Sequence, residues 1–387
     1  MTSSKKLQFW LRRPHWLGAV ALVIASLAST AHAEDAGLTI ATWSGAYGQS
    51  QQQAYFQPFT EETGTEITIA TYDGSFDAIK VKLGEDPAPY DVVDLSSGSL
   101  DRLCRDGMLE AVDAASLGPS EGNVADDFLA GGLSSCGVAS MAWAMVLIVD
   151  RQAFPKTVPT KIADLLDLKN FPGKRALPNG PRYTLELALL ADGVAPDQVY
   201  AELATPVGTD RAFAALDKIK AETVWWNKPT EPIALLASKK AAIAAGYSGR
   251  IFHALAGSGD RMDLLWDGQI YDTDVWAVPK TAPNKDAAKR FISFAAAPER
   301  LAAQARLIAY GPMRKSAIPL VGKHPDIGVE MMRFLPTAPE NFKNALKFDE
   351  AWWNEHGGEL IKRFETWREL AATTQGAAPD SKPAQPQ

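Results

Sequence analysis

Short β-branched runs alternate with helical periodicity along the chain, and this rhythm restricts it to an α/β architecture more than any other feature. Leu38-Thr39-Ile40-Ala41-Thr42 reads as a strand, Gln49 to Thr60 as a helix closed by Gly64, and Glu66 to Thr71 as the next strand. Ser75 to Leu83 is then helical, Asp91 to Leu95 extended, and Leu100 to Asp106 helical up to Gly107. Strands separated by helices pair in parallel, so a parallel-type sheet is expected. After the apolar stretch Val138 to Val149 a second α/β region begins. Its helices are read at Lys161 to Leu166, Thr184 to Ala191, Asp197 to Ala204 and Thr209 to Lys220, and its strands at Lys174 to Leu177, Lys240 to Ala245 and Met262 to Trp266. A strand over Tyr271 to Val278 and helices over Lys285 to Phe294 and Glu299 to Ile308 follow. No low-complexity linker separates the regions, which predicts two lobes crossed more than once by the chain.

The first 33 of the 387 residues stand apart. Lys5, Lys6, Arg12 and Arg13 precede an apolar run from Leu17 to Ala28, and Ala31-His32-Ala33 follows, the order of a cleavable secretory signal. Beyond it, 35 basic residues face 46 acidic ones, a net charge of about −11. Such a balance argues against nucleic acid and against a polybasic membrane contact. No later apolar run approaches the roughly 18 residues a membrane span requires. A periplasmic protein with no membrane insertion is the expectation. In an oxidising compartment Cys104 and Cys136 are expected as a disulfide, two buried thiols being the alternative.

Signatures of catalysis are sparse. His253, His324 and His356 are widely separated beyond the signal, and no His-x-x-x-His, Cys-x-x-Cys, Gly-x-Ser-x-Gly or Walker loop occurs. Neither a metal site nor a cofactor is expected, and a binding protein is favoured over an enzyme. A secreted hydrolase using Asp272 or Asp274 is the alternative of another class. Binding features gather where strands give way to loops, the crevice that α/β sheets use for ligands. Trp43 and Ser44 end the first strand with Tyr47 just beyond, Ser96 and Ser97 end the third, and Tyr247 and Arg250 follow a later one. Trp43 is otherwise a core-capping aromatic. In Tyr271-Asp272-Thr273-Asp274-Val275-Trp276, residues two apart share a face, so Asp272, Asp274 and Trp276 are expected to form an ammonium site. A solvated edge strand is the plainer reading. Of the pairs Trp225-Trp226 and Trp352-Trp353, one member each is expected in the core.

The order of these features resembles the extracellular solute-binding proteins of ABC importers, and most of all their spermidine/putrescine-binding group. The resemblance is carried by strand-Trp43-Ser44, by Phe-Thr-Glu-Glu-Thr-Gly-Thr-Glu-Ile from Phe59, by Tyr-Asp-Val-Val-Asp from Tyr90 and by Asn-Lys-Asp-Ala-Ala-Lys-Arg-Phe-Ile-Ser-Phe from Asn284. It spans Leu38 to Trp367. It implies a type II periplasmic-binding-protein fold, each lobe a mixed sheet flanked by helices, with the ligand in the cleft between lobes and a membrane permease as partner. On that pattern Trp43, Ser44, Tyr47, Ser96, Tyr247, Asp274 and Tyr310 are ligand contacts, and residues 34–145 and 277–318 form lobe 1. Lobe 2 is then 146–276, residues 319–373 add C-terminal helices mainly to lobe 2, and 374–387 form a disordered tail. The chain departs from its relatives in two places. Asp272 stands where they carry an aromatic, and Asn179-Gly180-Pro181-Arg182-Tyr183 replaces a loop that holds an acidic pair in them. A monomer that captures a polyamine or diamine is the leading expectation. A zwitterion such as γ-aminobutyrate, using Arg182 or Arg250, is the alternative, with Tyr183, Tyr247, Asp272 and Asp274 around it.

Overall fold

The computed structural model describes residues 37–375 apart from 73, 119–121 and 258–260. The signal sequence and nearly all of the tail expected from the sequence lie outside the described residues. Among the described residues nine strands build one sheet: β1 (Leu38–Thr42), β2 (Ile67–Thr71), β3 (Val92–Ser96), β4 (Val138–Asp150), β5 (Arg175–Pro178), β6 (Thr223–Trp226), β7 (Ile243–Tyr247), β8 (Met262–Ala277) and β9 (Leu346–Lys347). Their order is β2-β1-β3-β8-β4-β7-β5-β6, with β9 beside β8. β1 pairs in parallel with β2 and β3, and β5 with β6 and β7, as helical crossovers require. These two parallel groups are joined through the long antiparallel strands β4 and β8.

Pairing changes hands along those two strands. β8 meets β3 through Asp274 to Ala277, whereas β4 meets β7 through Met145 to Val149. The passage between the two halves of the sheet therefore falls near Ala142 to Ala144 and Tyr271 to Thr273, which pair with each other. The sequence expectation of two strands at Met262 to Trp266 and Tyr271 to Val278 is corrected, since they form one strand. Register shifts flank this passage, and Gly268 adopts φ +71° in the irregular part, where a Cβ would lie 2.8 Å from the Ile162 side chain.

Several helices begin earlier than the hydrophobic pattern indicates, because polar caps and turns set their starts. The first runs through Gly45–Gln51, a π-helical segment Gln52–Phe56 and Gln57–Thr63. Gly45 at φ +78° turns the chain straight out of β1 and brings Tyr47 into the first turn. The helix after β3 spans Ser97–Arg105, its end capped by Ser96 Oγ, which accepts from Ser99 N at 3.3 Å. Thr205 likewise caps Pro206–Asp217. Thr184–Ala191 matches its expected bounds. Lys161 to Leu166 shrinks to a 3₁₀ turn, Ile162–Leu165, while Asp197 to Ala204 becomes a 3₁₀ turn followed by Val199–Leu203.

Aromatic residues dominate the core under the first half of the sheet, where Tyr55 and Phe291 pack on Trp276 and Phe56 and Phe59 pack in turn on Phe291. Trp276 is thus a core residue, and the expected site of Asp272, Asp274 and Trp276 is corrected accordingly. Trp226 and Trp353 are buried while Trp225 and Trp352 lie at the edge, as adjacent residues on a regular element must. Cys104 and Cys136 form a disulfide with Cα atoms 5.9 Å apart, tying helix Ser97–Arg105 to the approach of β4. Among the described residues no helix is long and apolar enough to cross a membrane.

Candidate functional site

Where the two halves of the sheet meet, strand alternation turns a row of acids to one side. Asp272 and Asp274 come from β8, and Ser96 and Asp94 from β3, opposite Asp274 and Trp276. All three aspartates are buried. Asp94 Oδ2 accepts from Gln51 Nε2 at 2.6 Å, Tyr47 Oη at 2.8 Å and Thr42 Oγ1 at 3.0 Å, while its Oδ1 has no partner among the described residues. Burial raises its pKa to about 6 despite these donors. Tyr47 Oη also lies 2.9 Å from Ser140 Oγ, which donates to the Asp274 carbonyl at 3.0 Å.

Asp274 is less well supplied. Burial pushes its pKa well above the carboxylate range, the negative charges of Asp94 and Asp272 push it further, and a hydrogen bond from Trp143 opposes them only in part. Burial likewise raises Asp272 to about 6, against the opposing effects of Lys347, the Ser97 hydroxyl and the Thr273 N–H. The Thr273 bond measures 2.8 Å, and Lys347 Nζ stands 3.7 Å from Asp272 Oδ1. Glu350 adds a fourth acid. Its Oε2 lies 3.4 Å from Ser96 Oγ and fills the space beside Gly98 at the N-terminus of helix Ser97–Arg105.

Aromatic rings wall this acidic floor. Tyr47 meets Tyr310 edge to face at 5.6 Å, and Trp43 lies 5.2 Å from Tyr72 and directly against Gly74. From the other half of the sheet Trp143, Tyr183 and Tyr247 form a triangle with centroid separations of 5.5 to 6.3 Å. Tyr183 adopts φ +65°, an uncommon backbone for a bulky residue, and packs on Phe348 at 4.6 Å. Tyr310 spans the boundary: a Cβ on Gly249 would come within 2.1 Å of its ring.

Positive charge gathers beyond these rings. Burial raises the Tyr247 pKa, whereas a hydrogen bond from Tyr183 and the charges of Arg250 and Arg182 lower it. Both arginines therefore act on one hydroxyl. Burial raises Tyr310 to about 12, with Asp274 adding to the rise and Arg250 opposing it. The Tyr310 hydroxyl thus feels charges of both signs. Arg182 Nη2 reaches Asn354 Oδ1 at 3.4 Å, while exposed Arg250 has no ion pair among the described residues. Ser44 is exposed and its hydroxyl caps nothing.

The structure accordingly gathers Tyr47, Ser96, Asp272, Asp274 and Tyr310 around the acidic floor and Tyr183, Tyr247, Arg182 and Arg250 toward the basic side. Trp43 and Ser44 sit at the end of β1 beside Tyr72. Sequence reasoning missed Trp143, Asp94, Lys347 and Glu350. A lone indole in the aliphatic run of β4 and an acid inside the buried run of β3 were usable signals, since both sit poorly in such strands without a purpose. Lys347 and Glu350 carried none, because only the tertiary pairing of β9 brings them near.

Two halves of an α/β sheet, meeting at a buried set of charges and aromatic rings, define a protein that encloses a small polar solute. The chain belongs to the bacterial extracellular solute-binding proteins, whose family model matches residues 54–328. It is a solute-binding component of an ABC transporter with the two-lobed type II periplasmic-binding-protein fold. It is 37% identical over 354 residues to a gamma-aminobutyric acid-binding protein of Pseudomonas aeruginosa, covering 91% of this chain and 97% of that one. To a spermidine/putrescine-binding periplasmic protein of Escherichia coli it is 26% identical over 373 residues, 94% and 99% of the two chains. Its structure superposes on the Atu4243-GABA receptor with a TM-score of 0.69 at 27% identity, covering 86% of this chain and 97% of that one. Family members bind small-molecule ligands and work with a permease.

Proposed function

We propose that this chain captures a short ω-amino acid of the γ-aminobutyrate kind and delivers it to the permease. The observation that carries this reading is the mixed charge around Tyr310, whose hydroxyl feels both the negative charge of Asp274 and the positive charge of Arg250. A ligand with an ammonium at one end and a carboxylate at the other matches such a field, its ammonium on Asp274 and its carboxylate toward Arg250, Arg182 and the Tyr247 hydroxyl. Polyamines carry positive charge at both ends and would meet the arginines with repulsion. The 37% identity to a protein named for γ-aminobutyric acid supports the same choice.

The role is binding and release, with no bond made or broken. Lobe 1 is taken as 34–145 with 277–318, lobe 2 as 146–276 with most of 319–373, and a ligand touching both favours their closure through its differential affinity. Residues 1–33 act as the export signal, and the protein works as a periplasmic monomer. A thermal-shift panel of γ-aminobutyrate, putrescine, spermidine and a sugar tests the ligand. At 100 times its dissociation constant a ligand stabilises by about 2.7 kcal/mol, a rise of a few degrees. γ-Aminobutyrate is expected to give that rise. A rise with putrescine and none with γ-aminobutyrate would overturn the reading.

A further inference from the structure

We propose that Lys347 is a specificity-determining residue: its ammonium occupies Asp272 from within the protein and limits the ligand to a single ammonium, held by Asp274. This rests on the ω-amino-acid reading and names what enforces it. Lys347 lies on β9, which runs parallel to β8 with Tyr271 as its neighbour, one residue from Asp272. The segment is fixed on both sides. Phe348 N donates to the Tyr271 carbonyl at 2.8 Å, and the Phe348 ring packs on Tyr183.

The lysine stem is fixed as well. It passes over Gly131, where a Cβ would come within 2.6 Å of Lys347 Cε, and the notch sits against β8 through Thr273 Oγ1, which donates to the Gly131 carbonyl at 3.5 Å. Nζ is thereby delivered 3.7 Å from Asp272 Oδ1. Asp272 is then served by a cation, a hydroxyl and a backbone N–H. Asp274, one strand step away on the same face, has only the Trp143 indole and no ion pair among the described residues. The second ammonium of a diamine would have to displace Lys347 or lie beside it, and either is unfavourable. The Lys347 side chain is partly exposed, which screens the effect to about fivefold.

Isothermal titration of the purified protein with γ-aminobutyrate and putrescine tests this. Lys347→Met and Lys347→Gln are each expected to raise the ratio of putrescine to γ-aminobutyrate affinity about fivefold. Lys347→Arg should keep the wild-type ratio, and Lys347→Met combined with Asp272→Asn should lose the gain. No gain in that ratio for either neutral variant, with native melting retained, overturns the proposal. The ratio is read against wild type, so the two readings fail separately. A wild type that prefers putrescine refutes the ω-amino-acid reading, while the change on removing the lysine charge still decides what Lys347 does.

Discussion

Asp274→Asn should make the free protein more stable and the complex weaker, two effects of opposite sign from one substitution. Asp274 is 8% exposed and faces Asp94, Asp272 and Glu350, with one indole donor to support its charge. Asparagine keeps the shape and can still accept from Trp143 while removing the charge. For the complex, the ammonium of the ligand loses a charge-assisted hydrogen bond worth about 1.5–3 kcal/mol, which weakens binding roughly 10- to 150-fold. For the free protein the sign follows from proton linkage. A carboxyl whose pKa is raised by folding holds its proton more tightly when folded, so its cost grows as pH climbs above the ordinary 3.8 and is complete above the raised value. The stabilisation by Asn should therefore be larger at pH 8 than at pH 4.5. Calorimetric titration with γ-aminobutyrate and melting curves at both pH values measure the two effects. Unchanged affinity, or a melting point lowered at pH 8, would refute this account of the acidic floor.

Glu186 and Gly249 give two further tests. Glu186 is fully buried, accepts from Trp353 Nε1 at 2.5 Å and Tyr200 Oη at 3.3 Å, and is raised by burial from 4.5 to about 7. Keeping it ionised above pH 7 costs about 3 kcal/mol. Less the penalty for an unpaired amide N–H, Glu186→Gln should stabilise by about 1–2 kcal/mol at pH 8.5 and not at pH 4. Urea midpoints at the two pH values decide it, and a gain that does not depend on pH would show that Glu186 is not the titrating group. Gly249→Ala drives a methyl into the Tyr310 ring, with overpacking that costs about 1–3 kcal/mol. It should lower both the melting point and the affinity for γ-aminobutyrate, whereas Gly180→Ala, where a Cβ meets nothing within 4 Å, should alter packing little. Equal behaviour of the two would mean that Tyr310 yields freely.

What the sequence revealed, and what it hid, follows from the range over which each interaction acts. β1, β3 and helix Thr184–Ala191 were legible because their signal is local, a short and largely apolar run bounded by turn residues. The starts of helices Gly45–Gln51 and Ser97–Arg105 were read late, since a cap or a left-handed glycine sets them and hydrophobic periodicity ignores both. Among the site residues, Asp272 and Asp274 stood out as acids in a strand, yet the tryptophan chosen to accompany them was wrong. Trp276 shares their face, but beyond the end of the acidic row that face lies under helix Lys285–Ala295 and becomes core. The indole that serves Asp274 is Trp143 of β4, which pairs with Asp272 and reaches Asp274 across the diagonal, a span that a long aromatic side chain covers. Charge balance is harder still to read. The acids near the cleft can be counted along the chain, but the cation that stands beside Asp272 is Lys347, more than seventy residues further on, brought there by a two-residue strand. On the role proposed for Lys347, the choice between one ammonium and two is set by strand pairing, which no local pattern in the sequence records.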